Sequence, residues 1–216
     1  MSNIYRYERK FILPKNYSID SVESVLIRSR FIFSKQHEDR FVNSIYFDSK
    51  NLNSVKENLD GVLSKKKIRL RWYGSYNFIQ NPRLELKFKK GYLNTKKIFQ
   101  LKNFKIKFFE KNLNAIYTVL LKKYNFLKNY KIVTSTHYRR KYFISKINNI
   151  RATIDTDIFY KKLRLLDNFD LNNNDSRPIL ELKYKIADDN YVRANLQNLT
   201  LRFSKNSKYI NSLSLQ

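Results

Sequence analysis

Cysteine is absent from this 216-residue chain, and glycine and proline occur three times each. The first absence excludes disulfides and thiolate metal sites. Two separated histidines, His37 and His137, argue against a histidine-based zinc centre. So few glycines leave no G-x-x-x-x-G-K-[ST] loop and no glycine-rich strand-to-helix turn, which argues against a P-loop or Rossmann fold. Any phosphate bound here would be gripped by side chains rather than by a backbone cradle. No apolar run is long enough to span a bilayer, and Met1–Lys10 has no apolar core of a signal peptide. A soluble cytoplasmic protein is the expectation.

Acidic residues are also scarce. Lys and Arg number 44 against 18 Asp and Glu, a formal net charge of +26. A charge of that size calls for an anionic partner: nucleic acid, an anionic membrane surface or a phosphate-rich substrate. Part of the excess reflects the Lys, Asn, Ile, Phe and Tyr bias of AT-rich coding sequence, so the position of the charges is more informative than their total.

What is abundant is alternation. Lys67-Ile68-Arg69-Leu70-Arg71-Trp72, Leu84-Glu85-Leu86-Lys87-Phe88-Lys89 and Leu180-Glu181-Leu182-Lys183-Tyr184-Lys185 each place charge at every second residue. In a strand those charges share one face and the apolar residues the other. The charged faces comprise Glu8 and Lys10; Lys67, Arg69 and Arg71; Glu85, Lys87 and Lys89; Lys96; Tyr138 and Arg140; Arg151, Thr153 and Asp155; and Glu181 and Lys183. A glutamate recurs among the cations. If these faces converge, they line a cavity that a polyanion with a metal ion would satisfy.

Strands are expected at 4–13, 43–47, 66–73, 83–90, 95–101, 133–145, 150–158 and 179–184, with a hairpin turn at Asn148-Asn149. Helices are expected at 18–33, 51–59, 110–130 and 188–201, and a polar loop at 166–177. Helices interspersed with an antiparallel meander indicate one α+β domain over residues 1–216.

The order of motifs resembles a known family. Y-E-R-K-F (7–11), S-I-Y-F-D (44–48), E-N-L-D-G (57–61), K-I-R-L-R-W-Y-G (67–74) and L-E-L-K (84–87) are similar to the polyphosphate polymerase domain of the vacuolar transporter chaperone (VTC) family. Y-R-R-K-Y-F (138–143), R-A-T-I-D-T-D (151–157), L-E-L-K-Y (180–184) and N-S-K-Y-I-N (206–211) continue the likeness in order. Each motif alone is weak; the ordered set covers essentially the whole chain. Ser212 stands where the family has Gly, and Lys97 where it often has Arg.

The resemblance implies a triphosphate tunnel metalloenzyme: an antiparallel, roughly eight-stranded tunnel barrel with a basic lumen, flanked by helices. It implies phosphoryl transfer from ATP to a growing polyphosphate chain. It assigns phosphate contacts to Lys10, Arg69, Arg71, Lys87, Lys96, Tyr138, Arg140, Arg151, Lys183, Lys205, Ser207 and Lys208. Of these, Lys10, Arg69, Arg71, Arg140, Arg151, Lys205 and Lys208 would act on the transferred group. Glu181, with Glu8 or Glu85, would hold Mn²⁺ or Mg²⁺. A second register places the C-terminal K-x-S-K match at Arg202–Lys205. ATP, orthophosphate or pyrophosphate, and polyphosphate are the implied partners, nucleic acid is not expected, and a separate membrane partner would replace the membrane spans of the eukaryotic complexes. Two other readings fit the residues: a tripolyphosphatase or nucleoside triphosphatase with water as acceptor, and a polyanion-binding module without chemistry. Asp48, Asp60, Asp155 and Asp157 read as turn or salt-bridge residues, and the aromatics Tyr5, Phe11, Phe47, Trp72 and Phe143 as core.

Overall fold

The computed structural model describes residues 6–90, 93–108, 112–163, 172–175, 177–196 and 201–213. Its elements are β1 (Arg6–Ile12), α1 (Ile19–Arg28), β2 (Phe33–Asp48), α2 (Asn53–Leu59), β3 (Ser64–Tyr73), β4 (Phe78–Gln80), β5 (Arg83–Lys90) and β6 (Leu93–Gln100). They continue as β7 (Lys105–Lys107), α3 (Leu113–Lys123), β8 (Lys131–Ser145), β9 (Arg151–Lys162), β10 (Asn172–Asp175), β11 (Ile179–Lys185), α4 (Asp189–Leu196) and α5 (Lys208–Asn211). The strands are hydrogen-bonded in the order β1-β11-β9-β8-β2-β3-β5-β6, with β10 beside β9 and a separate β4-β7 ribbon. The expected α+β class with an antiparallel sheet is what forms. The ladder is a path ending at β1 and β6, so hydrogen bonds among the described residues do not close it into a barrel.

The chain divides into two compact units. The first comprises residues Met1–Arg40, Tyr138–Ile158 and Asn174–Ser207; the second comprises Phe41–His137, Phe159–Asn173 and Lys208–Gln216. Each has its own core. In the first, Phe11, Ala152, Ile154, Leu180 and Leu182 from the sheet pack with Val22 and Leu26 of α1 and Val192 of α4. In the second, Ile45, Ile68, Leu70, Leu84 and Leu86 pack with Leu113, Ile116 and Leu120 of α3. The alternation in each strand thus sends one face under a helix and leaves the charged face opposite.

Helix α1 stops at Arg28, short of the expected Phe33. Ser29 donates its hydroxyl to the Leu26 carbonyl at 2.6 Å, and Ile32 takes a left-handed φ of 51°. A turn follows, and Phe33 begins β2, a sixteen-residue strand where only 43–47 was expected. The long helix expected over 110–130 ends at Lys123: Tyr124 adopts φ −133°, ψ 82°, and a 3-10 turn follows at Asn125–Asn129. The Asn148-Asn149 turn is as expected, with both residues left-handed at φ 56° and 52°. That is the backbone a two-residue I′ hairpin turn needs, and asparagine tolerates it. The expected loop at 166–177 lies largely outside the described residues; within it, 172–175 form β10. No helix among the described residues is long and apolar enough to cross a membrane.

Leu120 is fully buried among the α3 and sheet side chains. Leu120→Ala should cost about 3 kcal/mol of stability through lost burial and a residual cavity. Chemical denaturation of the two proteins checks it; a change under about 1 kcal/mol would mean that α3 is not a core element.

Candidate functional site

In the first unit, strand register fixes the polar face row by row. Lys10 faces Glu181, and Glu181 faces Thr153. The next row is Glu8, Lys183 and Arg151, and the one beyond Glu181 brings Ile179 to Asp155. Residues directly opposite in adjacent strands point to the same side. Glu8, Lys10, Glu181, Lys183 and Arg151 therefore share one face, with each glutamate directly opposite a lysine.

Glu181 is 6 % exposed. Lys183 Nζ lies 2.6 Å from one of its carboxylate oxygens and Lys10 Nζ 3.9 Å from the other. Burial alone would raise this carboxyl, but Lys183, Lys10 and Arg140 outweigh it and hold Glu181 well below the usual carboxylate range. Arg140 is pinned from one edge by Asp155, at 2.5 Å from Nε and 2.7 Å from Nη2. Asp155 is fully buried, so this pair is a structural ion pair, as expected for that aspartate. The guanidinium also lies 5.2 Å from the centre of the buried Tyr138 ring.

The C-terminal segment reaches this face along β1. Phe203 bridges to Phe11, Ser204 N–H donates to the Lys10 carbonyl at 2.8 Å, and Lys10 Nζ donates to the Asn206 carbonyl at 2.9 Å. Those contacts set Lys205, Asn206 and Ser207 beside Lys10. Thr153 Oγ1 and Asn206 Oδ1 are buried with no hydrogen-bond partner. Asn206 was missed by sequence reasoning; its only signal was its place inside the K-x-S-K match.

In the second unit, β2, β3, β5 and β6 present the other cationic face. Tyr46, Arg69 and Glu85 form one row, Ser44, Arg71 and Arg83 the next. Lys67, Lys87 and Lys96 form a row made wholly of lysines. Glu85, 3 % exposed, is the acid that offsets them. Arg69 Nη2 is 2.6 Å and Nε 2.7 Å from Oε2, and Lys96 Nζ is 2.6 Å from Oε1. Burial opposes ionisation of Glu85, yet Arg69, Arg71 and Lys96 bring its pKa down to about 2. Desolvation pushes the Lys96 ammonium down to about 8; Glu85 opposes this, and Arg69 and Arg71 add to it. Arg71, nearly buried, donates to Ser44 Oγ at 3.4 Å.

Lys208 opens α5, next to Tyr209. Tyr209 donates its hydroxyl to buried Asp48 and stacks on Tyr46 at 5.1 Å. Asp48 also accepts the backbone N–H groups of Ser49 at 2.7 Å and Ser54 at 3.1 Å, which fixes the start of α2. The S-I-Y-F-D and K-Y-I-N matches thus anchor each other, with Asp48 in a structural role as expected.

The structure therefore gathers Glu8, Lys10, Tyr138, Arg140, Arg151, Glu181, Lys183, Lys205 and Ser207 in one unit. It gathers Arg69, Arg71, Glu85, Lys87, Lys96 and Lys208 in the other. Both faces carry a buried, ionised glutamate held by two close cations. Such cations can exchange a carboxylate for phosphate oxygens through charge-assisted hydrogen bonds. No cluster of three or more His, Asp or Glu side chains suited to a metal occurs among the described residues.

Comparison with known proteins follows the same lines. The model of the VTC domain matches residues 5–216. A search of curated proteins finds no match. Among solved structures, the PH1819 protein of Pyrococcus horikoshii OT3 is 12 % identical with a TM-score of 0.55, covering 97 % of this chain and 98 % of its own. A protein of Vibrio parahaemolyticus, provisionally described as an adenylate cyclase, is 13 % identical with a TM-score of 0.55, covering 98 % and 99 %. One of Bacillus halodurans, provisionally described in the same way, is 11 % identical with a TM-score of 0.54, covering 96 % and 97 %. At such identities these structures share the fold. The family match spans nearly the full length, and by it the chain belongs to the VTC domain family.

Proposed function

We propose that this protein transfers the γ-phosphoryl group of ATP to a growing inorganic polyphosphate chain. The observation that carries the reading is the pairing of buried, ionised glutamates with lysines and arginines on both polar faces, in a chain matched by the VTC domain model. Positioning and neutralisation of phosphate charge supply most of the catalysis in phosphoryl transfer, and no covalent enzyme intermediate is required. In this reading Arg69, Arg71 and Arg151 grip phosphate oxygens in forked geometry, and Lys10, Lys87, Lys96 and Lys183 act as mobile point charges. Arg140, already engaged by Asp155, contributes a fixed positive field and its remaining edge. Lys205, Ser207 and Lys208 contact the entering or leaving phosphate.

Mn²⁺ or Mg²⁺ is part of the proposal. The residues fit a hard cation completed by its substrate: Mg²⁺ sites commonly use one or two carboxylates plus phosphate oxygens and water. Glu181 supplies an ionised buried carboxylate, Glu8 shares its face, and the partnerless Thr153 Oγ1 lies in the same row. Glu85 offers the equivalent donor in the second unit. A bound divalent ion would supply neutralisation of developing charge on the phosphates.

Incubation of purified protein with γ-labelled ATP, Mn²⁺ and a pyrophosphate primer, resolved on a polyphosphate gel, tests the assignment. A ladder is expected, and Glu181→Gln should lose it by at least about a hundredfold, as for removal of a group acting on transition-state charge. Orthophosphate alone would replace the polymerase reading with a tunnel triphosphatase; full activity in Glu181→Gln would remove that residue from the site.

A pH dependence follows from Lys96. Its ammonium is charged below about 8 and neutral above, so phosphate affinity should fall as pH rises through that value. The loss should approach tenfold, the scale of one charge-assisted contact. Calorimetric titration with tripolyphosphate across that range checks it. In Lys96→Met the same step should be absent; an unchanged step would assign the titration elsewhere.

A further inference from the structure

One basic stretch of the second unit lies outside both polar faces. No Asp or Glu occurs between Glu110 and Asp155, while Lys122, Lys123, Lys128 and Lys131 do. Helix α3 turns Leu113, Ile116 and Leu120 into the core. Val119, on the flank of that stripe, is 47 % exposed, with Lys122 and Lys123 three and four residues on and so beside it.

The 3-10 turn beyond α3 extends this surface. Phe126 is 37 % exposed; its ring lies 5.9 Å from Tyr124 and 6.2 Å from Phe99 of β6. Lys123 Nζ lies 5.9 Å from the Tyr124 ring centre, and Lys128 projects from the same turn. Two positions before Phe99, exposed Lys97 is on its side of β6. Lys66 donates to the Tyr130 hydroxyl at 2.9 Å, tying this region to the start of β3. There the entry turn exposes Leu63 by 74 %. Gly61 in that turn stands in open space, with nothing within 4 Å of where a Cβ would be. Of the described acidic residues of this unit, Glu85 and Asp48 are buried, and Glu57 and Asp60 belong to α2 and its end.

We propose that this lysine-ringed apolar surface, centred on Val119, Phe126, Lys122, Lys123 and Lys128, docks the protein on an anionic lipid bilayer. Charge complementarity selects an anionic surface, and the exposed aliphatic and aromatic side chains select lipid over an inorganic polyanion. A polyphosphate chain has no apolar part to cover Val119, and a nucleic acid would stack on Phe126 but gain nothing from an aliphatic neighbour. Interfacial binding of this kind combines attraction of basic residues to acidic headgroups with shallow burial of apolar side chains.

The test is flotation of the full chain with vesicles of phosphatidylcholine alone or mixed with phosphatidylglycerol. Binding is expected to the mixed vesicles only. Lys122→Glu with Lys123→Glu and Lys128→Glu should weaken it by at least about tenfold, as loss of three surface cations predicts. Val119→Ser, on an exposed site that leaves the core intact, should weaken it several-fold at unchanged thermal stability, and Phe126→Ser should do the same. Absence of binding to mixed vesicles would overturn the proposal. So would binding indifferent to both Val119→Ser and Phe126→Ser, or binding that excess polyphosphate abolishes only through the lysines, since each makes the surface a plain polyanion site.

Discussion

A sheet can hold a dense cationic face only if something offsets the repulsion, and here the offset is a buried carboxylate. Glu85 between Arg69 and Lys96, and Glu181 between Lys183 and Lys10, are each almost inaccessible yet ionised. A buried carboxylate without partners would take up a proton. Pairing with cations keeps both glutamates ionised. It also leaves Lys67, Lys87 and Lys96 side by side across three strands, where like charges repel. An arriving phosphate completes that balance, which links the stability of the polar faces to the substrate class proposed for them.

The alternating strands made this organisation legible. Every strongly alternating segment became a strand, with its charged set on one face and its apolar set under a helix. The Asn148-Asn149 turn was legible for a local reason, the tolerance of asparagine for positive φ. What was not legible lay in places where context overrides local preference. The stretch from Phe33 to Val42 mixes Lys, Glu, Asp and aromatics with no clean period, yet it is the first half of β2. Helix α1 and helix α3 end early at residues, Ser29 and Tyr124, that carry no glycine or proline signal. Open ladder ends at β1 and β6 were equally invisible, because strand order is a long-range property.

The site shows the same division. Lys10, Arg69, Glu85, Lys96, Glu181 and Lys183 could be placed on charged faces from spacing alone. Their grouping into two sets could not. Nor could the local pairings be read: Arg140 is held by Asp155 fifteen residues away, and Lys10 reaches a backbone carbonyl at Asn206. Such contacts depend on the register between strands and on the return of the C-terminal segment to β1, which spacing within one strand does not give. The motif residues near the C-terminus turn out to have two tasks, since Asn206 touches Lys10 while Tyr209 anchors to Asp48.

The central claim is that the two polar faces take phosphate oxygens in place of their own glutamates. Thermal unfolding with tripolyphosphate, at constant ionic strength, tests this most directly. A ligand that binds the folded state alone raises the midpoint in proportion to its affinity. The account predicts a concentration-dependent rise that sodium chloride does not reproduce, reduced in Lys10→Met and in Arg69→Met. No rise, or a rise that both variants retain in full, would contradict it.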